Sequence, residues 1–436
     1  MKMQLRPYQD DAADFLYERD RAMILAPVGA GKTAITLTAM ADAIISGLVK
    51  RWLVVAPKRV CTDVWPVERY KWAPTLSMGL AIGSPAGRQA AFDQDTQIVV
   101  INYDNLDKVQ SLDSFDGIVF DELTRLKNPS GKRFKALEKL IANIPIRWGL
   151  TGSFTSNGLE DVFGQCKMID QNLLGRSKGA FLQKYFYCIN RDFGQWEPRE
   201  GALPKVMDEI RPATYVLEAG EYADKLPPCH TVELHCRMGD MTPYKKMKTD
   251  YVARFEDETV IAQNAGAVTT KLQQMASGFV YDADRQSIWF SQHKFDRLDE
   301  LLSENQKANT LIWYTYQEEL AELKRRYPGL QTTDSPDVVN RWNKGEIPLL
   351  AAHPKSFGHG INLQGQQHMV FLSLPWSLEL YEQAVGRLHR GGQKHDVWVY
   401  VLITRDTIDE RIWAALHDKR SISDIALEEL KNDRED

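Results

Sequence analysis

The run A-P-V-G-A-G-K-T occupies Ala26–Thr33, directly after the apolar stretch Ala22–Ala26 and directly before the helical pattern Ala34–Ile45. Gly29 and Gly31, with Ala30 between them, let backbone N–H groups close around phosphate oxygens, and a following helix adds the positive end of its dipole. Lys32 has the reach for β- and γ-phosphates, and the Thr33 hydroxyl suits Mg²⁺. A phosphate loop needs a carboxylate partner at a strand end, and Gly117–Phe120 followed by Asp121 and Glu122 supplies one. Asp121 is expected to hold Mg²⁺ through water, and Glu122 to polarise the attacking water as general base. Charge on the transferring phosphoryl group needs cations. Arg387 and Arg390, three residues apart in Gln383–Arg390, are expected on one face of a helix, from which both could serve as arginine fingers.

Elements must exist to position these groups. Between Arg21 and Thr151 the runs Ala22–Ala26, Trp52–Ala56, Gln97–Ile101, Gly117–Phe120 and Arg147–Thr151 alternate with helical patterns. Continuous apolar strands in that rhythm predict a parallel sheet covered on both faces. The rhythm returns in Thr310–Tyr314, Leu349–Ala352, Met369–Ser373 and Val397–Leu402, which predicts a second α/β unit. Between them, Leu159–Thr270 reads differently: aromatic helical stretches (Phe181–Tyr187), a turn-rich segment (Asn190–Gly201) and the breaker Leu226–Pro227–Pro228, where the boundary is expected. Phe181, Tyr185, Phe186 and Trp196 are read as core aromatics rather than stacking platforms. A last helix is expected from Ile408 to Leu430, with a charged tail after it.

Composition bounds the rest. The 436 residues are 43% hydrophobic and 26% charged, enough for two cores of roughly 150–200 residues each. No apolar run approaches the ~18 residues of a membrane span, and the N-terminal MKMQLRPYQD lacks the apolar segment of a signal peptide. The five cysteines form no CxxC pair, so a reduced, intracellular setting is expected. Cys229-His230 and His235-Cys236 fit no standard zinc spacing, and the alternation of Thr231–Arg237 predicts a strand that sends neighbours to opposite faces. The net charge of −5 argues against a wholly basic nucleic-acid binder, but a local basic track on one face would suffice for phosphate contact.

Further motifs carry a resemblance. Leu5-Arg6-Pro7-Tyr8-Gln9, Val54-Val55-Ala56-Pro57, Trp65 with Glu68 and Trp72-Ala73-Pro74, Asp121-Glu122 leading to Arg125-Leu126-Lys127-Asn128, and Leu150-Thr151-Gly152-Ser153 with Asn157 follow in order. Leu311-Ile312-Trp313-Tyr314, Gly358 to Leu363 and Gln383-xxx-Arg387-x-His389-Arg390-x-Gly392-Gln393 follow in the second half. Together they resemble the Swi/Snf-type ATPases of helicase superfamily two (DEAD/DEAH-like), in a minimal bare-motor form, nearly end to end. Three positions depart from the pattern: Ala26 stands for the first glycine of the phosphate loop, Thr124 for the DEAH histidine and Phe154 for the proline of L-T-G-T-P. The last two put coupling in doubt more than nucleotide binding.

The resemblance implies an α/β fold of two RecA-like parallel-sheet lobes with ATP in the cleft between them, plus helical protrusion insertions. The expected division is lobe 1 at 1–158, a helical protrusion and linker at 159–228, lobe 2 at 229–407 with a helical insertion near 240–280, and a C-terminal helix and tail at 408–436. ATP and Mg²⁺ are the expected cofactors. Gln9 would read the base, with Arg6, Gly29, Ala30, Gly31, Lys32, Thr33, Gly360, Asn362 and Gln383 around the nucleotide and Thr33 and Asp121 at the metal. The expected function is an ATP-dependent double-stranded-DNA translocase, a hydrolase that moves along duplex DNA without processive strand separation. Fork or branched-DNA remodelling, or annealing, is the alternative within motors, and a non-catalytic nucleic-acid-binding module the alternative outside them. Lys58, Arg59, Asn102, Lys127, Asn128, Lys355 and Ser356, just after strands on the carboxyl edges, are the expected phosphate contacts. A monomeric motor, cytoplasmic and of bacterial or viral origin, completes the expectation, with any replication or nuclease partner left open.

Overall fold

The computed structural model describes residues 4–27, 29–155, 158–190, 195–217, 226–250, 252–255, 258–261, 265–305, 308–335, 337–355 and 362–431. Two compact units divide the chain between Lys225 and Leu226, and the last helix contributes to both. The strands of the first unit are β1 (Arg21–Leu25), β2 (Trp52–Ala56), β3 (Met78–Ala81), β4 (Ile98–Asn102), β5 (Gly117–Asp121), β6 (Ile146–Thr151), the hairpin β7 (Phe186–Asn190) and β8 (Gln195–Pro198), and β9 (Thr214–Val216). Seven of them form one sheet in the order β3-β4-β2-β5-β6-β1-β9, and every pairing is parallel. All residues of β2, β4, β5 and β6 are buried, which is why these segments read as unbroken apolar runs.

Close approaches set local sequence. Trp52 and Trp148 stack at 4.4 Å between ring centroids. The Trp52 ring lies so near Gly117 that a Cβ there would meet it at 2.4 Å. Behind the sheet, the helix Asp161–Ile169 runs against the turn that follows β5. A Cβ on Gly164 would lie 2.3 Å from the Lys127 carbonyl oxygen and 2.5 Å from that of Leu126.

Residues of the segment 159–228, expected as a helical protrusion and linker of the first lobe, pack into the core of the first unit. Val162, Phe163, Cys166 and Ile169 belong to the same core as Leu53, Val99 and Phe120, and Phe181, Tyr185 and Phe186 join it. Strand β9, near the end of that segment, pairs with β1 and is part of the sheet. Short strands such as β3 and β9 carry too little apolar alternation to announce themselves.

The second unit has β10 (Cys229–Cys236), the hairpin β11 (Val252–Phe255) and β12 (Glu258–Ile261), the hairpin β13 (Phe279–Tyr281) and β14 (Ser287–Trp289), then β15 (Thr310–Trp313), β16 (Gln331–Thr332), β17 (Leu349–Ala352), β18 (His368–Phe371) and β19 (Val397–Thr404). Its main sheet runs β10-β19-β18-β15-β17-β16, again wholly parallel. Leu311, Trp313, Met369, Phe371, Val399 and Val401 feed one core, while Ile312, Val370, Tyr400 and Leu402 feed another. Alternate residues filling two cores is the signature of a sheet covered on both faces. In the insertion near 240–280, Val268, Leu272 and Met275 of the helix Ala265–Ala276 are themselves core residues.

This core also buries charge. Lys294 and Asp409, 0% and 1% exposed, pair at 2.7 Å, and Lys294 donates further to the Leu372 carbonyl. Asp409 accepts from the backbone N–H of Thr404, so the start of the helix Ile408–Lys431 is tied to the end of β19. Beside this pair, the His293 pKa is pushed down to about 4 by burial and by the Lys294 charge, against a hydrogen bond to the Ala276 carbonyl.

Two outcomes follow. Gly164→Ala is expected to cost about 1–3 kcal/mol in denaturant unfolding, because backbone, not a flexible side chain, must yield. Gly179→Ala, whose nearest neighbour is the Ser177 hydroxyl at 3.6 Å, is expected to unfold like the parent. The folded value of His293 lies below its ordinary 6.5, so its neutral form contributes stability above that pH and loses it as the pH falls towards 4. His293→Gln should therefore flatten the acid limb of stability between those values by up to ~3 kcal/mol, read by thermal melts across pH.

Candidate active site

Strand order places the chemistry of the first unit. Strands β5, β6 and β1 are neighbours, with Asp121 opposite Leu150 and Leu25 opposite Thr151. The loops that leave β1 and β5 therefore emerge together at the carboxyl edge, where α/β sheets take ligands. The β6 loop bridges them: Ala26 donates its N–H to the Thr151 carbonyl at 3.0 Å, and the Thr151 hydroxyl donates to the Ser153 carbonyl at 2.8 Å. Phe154, at the position where the resembled pattern has proline, is buried in the core.

After β1 the chain turns through Gly29 and Gly31, both left-handed at φ of 86° and 88°, and the helix Lys32–Ile45 begins. Left-handed backbone strongly favours glycine there. Gly31 has a second reason, since a Cβ would sit 2.2 Å from the Gln9 amide nitrogen. That amide donates to the Ala30 carbonyl at 3.1 Å, while the Gln9 carbonyl oxygen accepts from the Arg6 N–H at 3.0 Å. Gln9, expected to read the base, is thus a buried clamp on this loop, with both ends of its amide engaged by the chain. Arg6 is exposed and reaches the Tyr8 hydroxyl at 3.3 Å.

Lys32 donates to the carbonyls of Ala26 at 2.7 Å and Pro27 at 3.1 Å. Burial lowers its pKa, opposed by the charges of Glu122 and then Asp121. The lysine and both carboxylates therefore share one electrostatic neighbourhood. Thr33, half-buried, opens the helix beside them. A hydroxyl and a carboxylate are hard oxygen donors of the kind Mg²⁺ takes, with phosphate oxygens and water completing its shell. Among the described residues no group of three or more His, Cys, Asp or Glu is placed to hold a metal ion.

Sequence reasoning missed the groups that hold Asp121 and the backbone of Glu122. Glu122 is left-handed at φ 60°, ψ 63°, strained for a side chain of this kind. The Tyr103 hydroxyl donates to the Asp121 carbonyl at 2.9 Å and reaches that of Glu122 at 3.4 Å. Burial, then the charges of Asp121 and Glu122, push the Tyr103 pKa well above the usual phenol value, so it stays a donor. The Trp65 indole donates to Asp121 Oδ2 at 3.0 Å. Cys61 is pushed up to about 12 by burial and then by Asp121, and so remains a neutral thiol.

The expected phosphate contacts differ in exposure and in the partners they meet. Asn102 is 4% exposed, and its side-chain carbonyl accepts from the Asn105 amide on the turn Tyr103–Lys108. Lys127 pairs with Asp161 at 3.4 Å, and the Asn128 side chain accepts from the Ser130 N–H. Lys58 is exposed and Arg59 half-buried at the start of the helix Lys58–Asp63. In the second unit Lys355 is exposed just after β17, its N–H donating to the His353 ring; Ser356 and Gly360 lie outside the described residues.

The helical placement expected for the arginine pair is corrected. The helix Leu378–Val385 ends at Gly386, so Arg387 and Arg390 lie on the turns beyond it. Their surroundings differ: Arg387 is 3% exposed and Arg390 half-buried. Gln393 secures this turn, donating to the Gln366 and Leu388 carbonyls and accepting from the N–H groups of Lys394 and His395. His389 meets the Pro227 carbonyl at 2.8 Å. Gln383 is buried and donates to Glu379 at 3.2 Å, while Asn362 accepts from the Gln364 N–H and stabilises its own turn.

Comparison with known proteins adds an independent line. The model of the SNF2-related domain matches residues 8–278, and that of the helicase conserved C-terminal domain matches 293–392. Protein p41 of Acyrthosiphon pisum secondary endosymbiont phage 1 is 34% identical over 98% of this chain and 98% of its own length. The ATP-dependent helicase YqhH of Bacillus subtilis is 22% identical over 97% of this chain and 80% of its own. The DNA repair and recombination protein RAD54B of Mus musculus is 24% identical over 98% of this chain, which spans 58% of that protein's length.

Strain at Glu122 gives a prediction of opposite signs. Asparagine tolerates left-handed backbone better than glutamate, so Glu122→Asn is expected to raise the melting temperature slightly. The same change should lower ATP turnover by a factor on the order of 10²–10⁴ if Glu122 is the general base. A drop in both stability and turnover would make Glu122 a structural residue.

Proposed function

The chain belongs to the SNF2-related family of ATP-dependent helicase-like proteins, and we propose that it is an ATP-driven motor that tracks along double-stranded DNA without processive strand separation. It is an ATP hydrolase of that family. The observation that carries the chemistry is the common electrostatic neighbourhood of Lys32, Glu122 and Asp121 where β1 and β5 end.

In this reading Lys32 neutralises the β- and γ-phosphates and exchanges its carbonyl partners for them, which offsets the cost of its burial. Thr33, and Asp121 through water, would hold Mg²⁺, which would supply charge neutralisation on the phosphates. Glu122 accepts the proton of the attacking water. Arg387 and Arg390 add positive charge as the γ-phosphoryl group transfers.

The DNA partner rests on less. RAD54B is named for DNA repair and recombination. Lys58 and Lys355 are exposed cations at the carboxyl edges of the two sheets, where backbone phosphates would meet them without regard to sequence. A monomeric motor working in the cytoplasm of a bacterial host fits the phage relative.

Steady-state ATP hydrolysis with no polymer, duplex DNA, single-stranded DNA and duplex RNA, across a salt series, tests the proposal. Duplex DNA is expected to stimulate most, with stimulation falling as salt rises. Best stimulation by single strands or RNA would contradict the assigned track. Arg390→Ala is expected to lower turnover with ATP affinity nearly unchanged, since its charge is needed in the transition state; weakened affinity alone would make it a ground-state contact.

A further inference from the structure

Asp121 cannot orient itself. The last torsion of an aspartate is broad and roughly two-fold, so a lone carboxylate at a strand end samples many rotations. A cation bound through water needs one of them, because the water bridges to a fixed oxygen. Asp121 is 7% exposed at the end of β5, and the Trp65 indole N–H donates to its Oδ2 at 3.0 Å. Trp65 is itself fully buried, at the first position of the helix Trp65–Trp72. Its ring is thus held by packing, and the one direction in which it donates is fixed with it.

We infer that Trp65 is a positioning residue for the divalent cation, setting the rotation of the Asp121 carboxylate while leaving its charge for the metal. The choice of donor matters physically. A lysine or arginine at the same distance would also orient the carboxylate, but its positive charge would repel a cation a few ångströms away. An indole has a donor and no acceptor, so it neither carries charge nor competes as a ligand. The Tyr103 hydroxyl complements it from the backbone side, holding the Asp121 carbonyl so that the main chain stays in place while Trp65 fixes the side chain. The inference rests on the assignment of Asp121 to Mg²⁺.

The test separates the hydrogen bond from the volume of the ring. In the full-length protein, Trp65→Phe removes the N–H with part of the ring, and site-specific replacement of Trp65 by 3-benzothienylalanine removes the N–H with the shape kept. Binding of a fluorescent ADP analogue is followed while Mg²⁺ is titrated, and again in EDTA. The half-saturating Mg²⁺ concentration is expected to rise about 10-fold or more for both variants, the scale on which outer-shell partners act on metal affinity. Binding in EDTA should stay within about twofold of the parent, as should the melting temperature of the benzothienyl variant within a few degrees. If Trp65→Phe does not fold, the benzothienyl variant decides alone. A half-saturating concentration for that variant less than about threefold above the parent's overturns the inference and leaves Trp65 a packing residue. A parent protein whose ADP binding ignores Mg²⁺ would instead remove Asp121 from the metal, and the inference with it.

Discussion

A carboxylate buried at the end of a fully buried strand is costly unless its charge is matched and its oxygens are hydrogen-bonded. Asp121 is in that position, and much of the first unit can be read as the arrangement that makes it tolerable. Lys32 comes close enough to feel its charge only because β6 separates β1 from β5 by a single strand. Trp65 reaches Oδ2 from a helix that follows β2, the neighbour of β5 on its other side. The Tyr103 hydroxyl arrives from the end of β4. Groups that follow β1, β2 and β4 therefore converge on the residue that ends β5, and parallel order is what makes all four ends fall on the same edge.

The same edge stores strain. Glu122 adopts left-handed backbone, and such a conformation persists only where surrounding structure over-determines it. Tyr103 holds the two carbonyls on either side of the Asp121–Glu122 link, and Gly164 lets a helix lie directly on the carbonyls of the following turn. The glutamate is thus held where an unstrained strand-to-turn path would not put it. In the second unit a comparable task falls to Gln393, whose single amide bonds four backbone groups to fix the turn that carries Arg387 and Arg390.

The chemistry-bearing residues were legible in the sequence because their spacing is dictated by the nucleotide. Gly29, Gly31, Lys32 and Thr33 must stand together in sequence to surround one phosphate group, and the strands around them announce themselves as apolar runs. What stayed hidden depends on contacts distant in sequence. Nothing near Trp65 or Tyr103 says that either will meet Asp121, and an aromatic residue in an amphipathic stretch reads as core. The side-chain partners of Asn102 and Lys127 stayed hidden for a related reason. Position at a carboxyl edge is readable, but whether a side chain there is occupied by Asn105 or Asp161 is not. The arginine pair looked helical because spacing of three is helical, yet Gly386 and Gly392, the latter at φ 99°, end the helix and turn the chain instead.

The central claim is that Glu122 activates water at a site whose nucleotide affinity comes from other groups, and single-turnover hydrolysis of ATP by Glu122→Gln tests it most directly. The isosteric amide keeps the shape and removes the base. ATP affinity should remain within about twofold of the parent while the hydrolysis step slows by a factor on the order of 10²–10⁴. A hydrolysis step near the parental rate would show that the proton goes elsewhere, and would contradict the account of why the chain holds this strained glutamate at the end of β5.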